Sequence, residues 1–529
     1  MRLHRRLSAT LFALTLAASA AFASNPLKIK TDKGSVEGAL TADKQVRIFK
    51  GIPYAAPPVG NLRWQPPQPA AKWFGTLAAK DFGHHCYQTN PFSDMTFTDA
   101  GPSEDCLTLN IWAPTKAAPG SLPVMVWIHG GGYTAGSASE PRHDGQFLAH
   151  HNVIIVTLNY RLGIFGFFTH PDLAAESPHH AAGNYGLLDQ AAAIAWVSRN
   201  ITAFGGDPNN ITVFGESAGS FSVSSLMASP LSKTLIAKAI GESGGAFHSS
   251  GLTYPTLAKT EEDDAAFAQT ALHASTLADL RKLSADDIIQ AASAKTTPPP
   301  PRFGPVVDGY FLPQSVPEIY AAGQQAHIPL LAGWNADEVR AQIIMNPVKP
   351  TVATFTAQAT KDFGARAPEF LAVYPATTDP EAVQSAGDFA SDRFIAYSTW
   401  AWLEAQVKTG QAPVYRYRFD LGSPGDKFHP AAIGAFHSDD IEYVFGTLDT
   451  RQQATIRPED RTLSDQIQRY WTNFARNGDP NSPNLPTWPT YGPTNDWQVM
   501  HLNVPSEAKP DIQRNRYLFL DSVWSQPQQ

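Results

Sequence analysis

The chain has 529 residues, a formal net charge of −8 at pH 7, and a composition that is 43% hydrophobic and 17% charged. These fractions are those of an ordinary globular protein and exclude a disordered chain or a coiled coil. A chain of this length buries a large core without metal ions or many disulfides. The negative charge and the lack of clustered Lys and Arg argue against nucleic acid as a partner.

Residues 1–23 have the pattern of a secretory signal peptide. Three arginines among the first six residues precede an apolar run over residues 11–22. Ala21-Phe22-Ala23 fits a cleavage site and places the start of the mature chain at Ser24, with residues 18–20 as a weaker alternative. The run is shorter than the about 20 residues that a membrane span needs. The sequence therefore predicts an exported protein, periplasmic or secreted, with no integral membrane segment.

The cysteines are Cys86 and Cys106 only. Two thiols in an exported protein usually pair, and closing this loop stabilises the fold by roughly 3 kcal/mol. The alternative is two buried free thiols. The 16 histidines include no H-E-x-x-H motif, and we predict neither a metal nor another cofactor.

Short apolar runs alternate with helical patterns along the chain, which is typical of an α/β fold. Residues 124–128, 153–158 and 211–214 are rich in β-branched and aromatic side chains, as strands buried on both faces of a parallel sheet are. Residues 187–197 have helical spacing and complete a strand–helix–strand unit. Residues 413–419 and 463–474 are predicted as a late strand and a late helix.

No repeat or long linker divides residues 24–529, so we predict a single catalytic domain. Within it, residues from about 250 to 305 are Ala-rich and polar and include four consecutive prolines, 298–301. A proline run cannot form helix interior. We interpret this stretch as a helical and loop insertion that caps the sheet.

Gly215-Glu216-Ser217-Ala218-Gly219 matches the G-x-S-x-G nucleophile elbow. It follows the predicted strand 211–214 and precedes residues 220–226, which can form a helix. The motif needs this context, because its serine occupies a strained backbone conformation between glycines that let strand and helix approach. The sequence therefore predicts Ser217 as a catalytic nucleophile.

A glycine-rich loop, His129-Gly130-Gly131-Gly132, directly follows the predicted strand 124–128. Attack on an acyl carbon creates an oxyanion that needs preorganised N–H donors, and successive glycines let the backbone present them. We predict the N–H groups of Gly131, Gly132 and Ala218 as the oxyanion hole. Loss of one such donor typically costs roughly 10²- to 10³-fold in rate.

A serine nucleophile needs a base and an acid, which follow it in the chain order Ser, acid, His. The residues alone do not choose among the histidines or the acids. The candidate bases are His248, His273, His327, His429, His437 and His501. The candidate acids are Asp308, Asp337, Glu338 and Asp420.

Five further segments carry a family resemblance: F-K-G-I-P-Y-A at 49–55, G-N-L-R-W at 60–64, E-D-C-L-T-L-N at 104–110, F-G-G-D-P at 204–208 and Y-W-T-N-F-A-R at 470–476. Together with the elbow they resemble the type-B carboxylesterase family, which includes cholinesterases, bacterial para-nitrobenzyl esterases and fungal lipases. The resemblance covers nearly all of the mature chain. It implies the α/β-hydrolase fold, a large, mostly parallel sheet flanked by helices, with capping insertions.

The resemblance also implies the identity of the acid and the base. The family's acid is the Glu of an N-x-D-E segment, which matches Glu338. Its base is the His of a G-x-x-H loop before an apolar strand, which matches His437 and residues 441–445. The family's first disulfide falls on the two cysteines, and its structural ion pairs fall on Arg63 with Glu104 and Arg161 with Asp189.

The chain departs from the family pattern near the substrate. Val339 and Arg340 follow the acid, where the family usually has Gly. The loop from residue 86 to 106 has no Trp, which counts against choline esters because cation–π contact with Trp holds that cation. The prolines 298–301 replace the aromatics of the cholinesterase acyl pocket. Glu216 favours a cationic or polar leaving group or has a supporting structural role.

These observations predict a carboxylic ester hydrolase that acts on a small-molecule ester through an acyl-enzyme on Ser217. The alternative from another class is a binding protein, since the family includes adhesion members without the catalytic residues, and Ser217, Glu338 and His437 argue against it. A lipase, a transacylase and an esterase for a bulky ester stay open. No long amphipathic lid indicates interfacial activation. The natural ester and the oligomeric state are left open.

Overall fold

The structure is a computed structural model that describes residues 26–250, 252 and 254–524. The predicted signal peptide, residues 1–23, lies outside the described residues. Within the described part of the chain, every helix is too short or too polar to cross a membrane.

Eleven strands of the described chain form one sheet. In chain order they are β1 Ala39–Leu40, β2 Val46–Pro53, β3 Thr108–Pro114, β4 Leu122–Ile128, β5 Ile154–Leu158, β6 Gly206–Glu216, β7 Lys238–Glu242, β8 Leu330–Asn335, β9 Val414–Phe419, β10 Gln498–Leu502 and β11 Glu507–Pro510. Their order in the sheet is β1-β2-β3-β5-β4-β6-β7-β8-β9-β10-β11. Neighbours from β5 to β10 in this order pair in parallel, whereas the pairs at both ends are antiparallel.

Both faces of the central strands are buried, which explains their continuous apolar runs. Val126 and Val213 contribute to the core on one face, and Trp127 and Phe214 contribute to the core on the other. The first face is covered by the helices Tyr185–Asn200, Ala218–Ala228 and Tyr397–Thr409. The second is covered by the helices Gln146–Ala149, Ile441–Phe445 and Pro458–Asn477.

The remaining helices and strands lie around this framework. The helices are Gly163–Phe167, Pro171–Glu176, Leu257–Ala271, Leu277–Leu280, Ala285–Ala292, Val316–Ala321, Arg340–Ile344, Val352–Phe363, Ala367–Val373, Asp379–Ser391 and Arg514–Trp524. Lys28–Lys30, Ser35–Glu37 and Thr76–Ala78 form a three-stranded sheet, and His85–Cys86 pairs with Pro102–Ser103.

The α/β prediction is confirmed, and most predicted elements lie within a residue or a few of the observed ones. The predicted helix 187–197 lies inside Tyr185–Asn200, and the strand 413–419 corresponds to β9. The strand expected at 441–445 is wrong, because Ile441–Phe445 is a helix. Its buried side chains pack against both the sheet and the helix Pro458–Asn477, so the run is apolar without a helical period. It ends at Gly446, which has a φ of 73°.

The structure contains the predicted disulfide and ion pairs. Cys86 is bonded to Cys106. Arg63 lies 2.6 Å from Glu104, and Arg161 lies 2.7 Å from Asp189, with both members of the second pair almost completely buried. These pairs tie loops to the scaffold, because breaking a buried pair leaves an uncompensated charge.

Candidate active site

The nucleophile elbow forms where β6 meets the helix Ala218–Ala228. Ser217 lies between them with φ 52° and ψ −122°, a conformation that non-glycine residues rarely adopt. Its N–H donates to the carbonyl oxygen of Glu242 on the neighbouring strand β7, at 2.9 Å. The sheet therefore holds the strained residue in place.

The glycines on either side of Ser217 are required by close packing. A Cβ on Gly215 would lie 2.6 Å from the carbonyl oxygen of Ile128, and a Cβ on Gly219 would lie 2.0 Å from the same atom. Both distances are shorter than a side chain tolerates. The end of β4 thus approaches the elbow closely, which brings the glycine-rich loop to Ser217.

Three side chains from three loops form one hydrogen-bonded chain. His437 Nε2 lies 2.9 Å from Ser217 Oγ, and His437 Nδ1 lies 2.5 Å from Glu338 Oε2. The loops follow β6, β8 and β9, whose carboxyl ends lie along one edge of the sheet. Ligands of open α/β sheets bind at this edge.

Glu338 and the loop of His437 are held by further hydrogen bonds. Ser243 Oγ donates to Glu338 Oε1 at 2.7 Å, and the Asn335 N–H donates to the same oxygen at 2.8 Å. The N–H of His437 donates to the Glu338 carbonyl at 3.0 Å. The Asn335 amide also donates to the Phe436 carbonyl at 2.7 Å. The carboxylate and the imidazole are therefore oriented before any substrate binds.

The glycine-rich loop lies directly against Ser217. A Cβ on Gly130 would lie 3.1 Å from the Ser217 Cβ, and a Cβ on Gly131 would lie 2.1 Å from the Ala135 carbonyl oxygen. Gly131 and Gly132 have φ values of 99° and 63°, which favour glycine. The glycine-rich loop, which contains two of the three predicted oxyanion donors, therefore lies next to Ser217.

The other candidate bases and acids interact with residues other than Ser217 and His437. Within the described chain, only His437 links Ser217 to a carboxylate by hydrogen bonds. Asp420 pairs with His501 at 2.5 Å, and Asp337 pairs with Arg340 at 2.9 Å. The remaining candidates pair or stack elsewhere, as Asp308 with the Leu312 N–H, His429 with Asp426, His248 with Trp524 and His327 with the Gly323 carbonyl. His273 lies just after the helix Leu257–Ala271, with a φ of 51°.

A cavity of about 500 Å³ opens onto Ser217. Its apolar walls come from distant parts of the chain, namely Phe92, Met95, Leu252, Phe394, Ile395, Ile433, Phe436 and Ile441. Phe394 packs edge to face on the His437 imidazole, with ring centroids 5.1 Å apart. Sequence reasoning missed these wall residues. Only Phe92 and Met95 carried a sequence signal, namely their position within the loop that the disulfide closes.

Comparisons with known proteins agree with this geometry. A model of the carboxylesterase family matches residues 25–520. The chain belongs to the carboxylesterase family. It is similar to fumonisin B1 esterase of Sphingopyxis macrogoltabida, with 39% identity over 87% of this chain and 84% of that protein. It is also similar to para-nitrobenzyl esterase of Bacillus subtilis (strain 168), with 37% identity over 93% of this chain and 98% of that protein.

Solved structures support the same assignment. A PNB esterase structure matches this carboxylesterase with a TM-score of 0.80 and 34% identity, over 93% of this chain and 99% of that chain. A thermophilic PNB esterase matches with a TM-score of 0.78. The fold is therefore the α/β-hydrolase fold, and the chain is a carboxylic ester hydrolase.

Glu216 influences the pKa of His437 in this carboxylesterase. Its side chain is buried, and Glu216 Oε1 lies 3.3 Å from His437 Nε2. Burial raises the pKa of Glu216 to about 8, although the attraction of His437 opposes the shift. Burial lowers the pKa of His437, but the carboxylates of Glu216 and Glu338 outweigh it and raise this pKa to about 9. The two groups titrate as a pair, in which ionised Glu216 and the imidazolium stabilise each other, so the site favours the imidazolium form of His437.

We expect the Glu216→Gln variant to show its acid limb of kcat/KM at a lower pH than the wild type. A free histidine base must be neutral to act, and kcat/KM reports its pKa in the free enzyme. Removing the nearby negative charge lowers the pKa of His437, by roughly 1 unit for a charge at this distance. The measurement is the pH dependence of kcat/KM for a 4-nitrophenyl ester.

The matched control is Asp94→Asn, which removes a carboxylate from the wall of the same cavity. Asp94 lies 3.3 Å from Arg142 and makes no contact with the imidazole. Its acid limb should stay within a few tenths of a pH unit of the wild type, since a charge already paired and farther away acts weakly. An unmoved or raised limb in Glu216→Gln would show that Glu216 does not act on His437.

Proposed function

We propose that this carboxylesterase cleaves esters through an acyl-enzyme on Ser217, with His437 as the base and Glu338 as the acid. One observation carries the proposal, the continuous hydrogen-bonded chain from Ser217 Oγ through both nitrogens of His437 to Glu338. It opens on a cavity large enough for a small-molecule ester. A serine hydroxyl is a weak nucleophile until such a base accepts its proton.

The first half of the reaction transfers the acyl group to the protein. His437 Nε2 accepts the hydroxyl proton while Ser217 Oγ bonds to the ester carbonyl carbon, and the carbonyl oxygen becomes an oxyanion. The N–H groups of Gly131, Gly132 and Ala218 donate to this oxygen. The ester C–O bond then breaks, and His437 gives its proton to the departing alcohol.

The second half of the reaction releases the carboxylic acid. Water is now the nucleophile, and Ser217 is the leaving group. Water loses a proton to His437 as its oxygen attacks the acyl carbon, and the oxyanion again lies in the donor loop. Collapse breaks the bond to Ser217 Oγ, which recovers its proton from His437. Throughout the reaction Glu338 accepts a hydrogen bond from the Nδ1–H of His437. This bond fixes the tautomer and stabilises the imidazolium.

We propose that the protein acts outside the cytoplasm as one domain spanning residues 24–529. The disulfide between Cys86 and Cys106 supports this location, because such bonds persist in oxidising compartments. The apolar run and cleavage motif of residues 1–23 support export. Cleavage before Ser24 can be read by mass spectrometry of the mature N-terminus.

Pre-steady-state hydrolysis of 4-nitrophenyl esters, from acetate to palmitate, tests the proposed function. We expect turnover of at least the shorter esters, together with a burst of 4-nitrophenol equal to the concentration of active protein. The burst arises because the alcohol leaves before the acyl-enzyme is hydrolysed. A folded protein that is inert toward every chain length would contradict the proposal and favour a binding protein.

A further inference from the structure

Arg302 is a solvent-exposed cation at the wall of the active site, and no acidic side chain of the described residues pairs with it. It lines the cavity that holds Ser217, and its Nη2 atom lies 3.8 Å from the point that a Cβ of Gly132 would occupy. Among the described residues, the ionisable groups that act on Arg302 are the phenols of Tyr133 and Tyr254. Burial raises the pKa of both phenols, so they are neutral near pH 7 and do not compensate the guanidinium.

Other charged side chains around Arg302 already have partners. Arg302 also lines a second cavity of about 870 Å³ between the helix Leu257–Ala271 and the prolines 298–301. In that cavity Lys259 lies 2.6 Å from Asp263, and Asp264 accepts hydrogen bonds from the N–H and the hydroxyl of Thr169 at 2.8 Å. Arg302 therefore presents a free planar set of donors where the two cavities meet.

The position of Arg302 relative to His437 decides which part of an ester it meets. The departing alcohol takes its proton from His437, so the alcohol part lies beside that imidazole. The carboxylates of Glu216, Glu338 and Asp440 already compensate the positive charge of His437, so this end of the cavity offers no free cation to a second anion. Arg302 lies instead beside Gly132 of the oxyanion loop, on the side of the cavity where we expect the acyl part to extend.

We propose that Arg302 binds a free carboxylate on the acyl part of the substrate, which makes this protein selective for esters of dicarboxylic or polycarboxylic acids. The inference rests on the proposed function and names the substrate class of the same site. A guanidinium binds a carboxylate through two parallel N–H···O hydrogen bonds, which a neutral acyl chain cannot accept. The adjoining second cavity offers room for a long acyl chain or for an acyl part that has more than one free carboxylate.

The test compares two esters that differ at the far end of the acyl chain. Mono-(4-nitrophenyl) adipate ends in a carboxylate, whereas 4-nitrophenyl hexanoate ends in a methyl group. We expect Arg302→Gln to lower kcat/KM for the adipate by roughly fivefold to tenfold, because Arg302 is exposed and water weakens its pairing with a carboxylate. The hexanoate value should change by less than about threefold, since that chain has no group for Arg302 to bind.

Two further variants and a change in salt concentration serve as controls for the comparison of the two esters. Arg302→Lys keeps the charge but loses the paired geometry, so it should recover part of the adipate activity. Arg393→Gln removes an exposed cation beside Phe394 without altering the cavity wall, and it should leave the ratio of the two esters unchanged. Added salt should lower the wild-type ratio through screening.

Three other results would contradict the inference or the proposed function. Equal losses for both esters in Arg302→Gln, or an unchanged ratio, would show that Arg302 does not select the carboxylate. Wild-type protein that cleaves hexanoate through Ser217 but not adipate would overturn this inference alone. Wild-type protein that cleaves neither ester would overturn the proposed function as well.

Discussion

Ser217→Ala should lower kcat/KM for 4-nitrophenyl butyrate by roughly 10⁴-fold or more. The variant keeps the oxyanion donors and the cavity but loses the atom that bonds to the acyl carbon. Residual hydrolysis above the rate in water is expected, because donors and binding alone still accelerate the reaction. Steady-state kinetics, with the burst of 4-nitrophenol as a second readout, measure the loss.

Ser249→Ala is the matched control for this substitution. Ser249 lines the same cavity, and its hydroxyl donates to the Phe394 carbonyl at 2.7 Å. We expect its kcat/KM to stay within roughly tenfold of the wild type, since loss of an ordinary hydrogen bond costs little. Loss of activity in Ser249→Ala with retention in Ser217→Ala would contradict the assignment of the nucleophile.

Glu338→Gln should lower kcat by roughly 10⁴-fold while leaving KM much less affected. The amide no longer holds the Nδ1 proton, so the wrong tautomer of His437 is populated and the imidazolium is not stabilised. The substitution is close in shape and keeps an acceptor for the Ser243 hydroxyl. A thermal unfolding midpoint near that of the wild type would show that the loss is catalytic.

Asp420→Asn is the control for Glu338→Gln, because Asp420 also lies 2.5 Å from a histidine, His501. This second pair has the same chemistry, but no hydrogen bond in the described part of the chain links His501 to a serine. The control should therefore keep kcat within roughly threefold, as expected for a partly exposed pair remote from the site. A large loss in Asp420→Asn with full activity in Glu338→Gln would mean that the wrong carboxylate was chosen.

Local sequence patterns predicted the parts of the site that depend on backbone conformation. The elbow and the glycine loop are recognisable because strain at Ser217 and close approach at Gly215, Gly219 and Gly131 admit few residue types. The buried strands were also predictable, since both their faces are apolar. In these places the backbone conformation and the burial restrict the types of neighbouring residues, so the sequence pattern is recognisable.

Features that depend on distant contacts were not predictable in the same way. The choice of Glu338 and His437 came from family resemblance, because each lies on a separate loop, and hydrogen bonds join the loops only in the folded chain. The helices between Arg340 and Thr409 were not foreseen, although Phe394 in their π-helical turn packs on His437. The run 441–445 was assigned to the wrong element because burial on several sides hides helical periodicity.

Covalent labelling with diethyl 4-nitrophenyl phosphate tests the central claim most directly. Attack by Ser217 Oγ on phosphorus releases 4-nitrophenol and leaves a diethylphosphoryl group on the serine, which water removes slowly. Peptide mass spectrometry should place one such group per chain on Ser217, with loss of activity in proportion to the labelled fraction. Labelling of another residue, or full activity after Ser217 is fully labelled, would contradict the account.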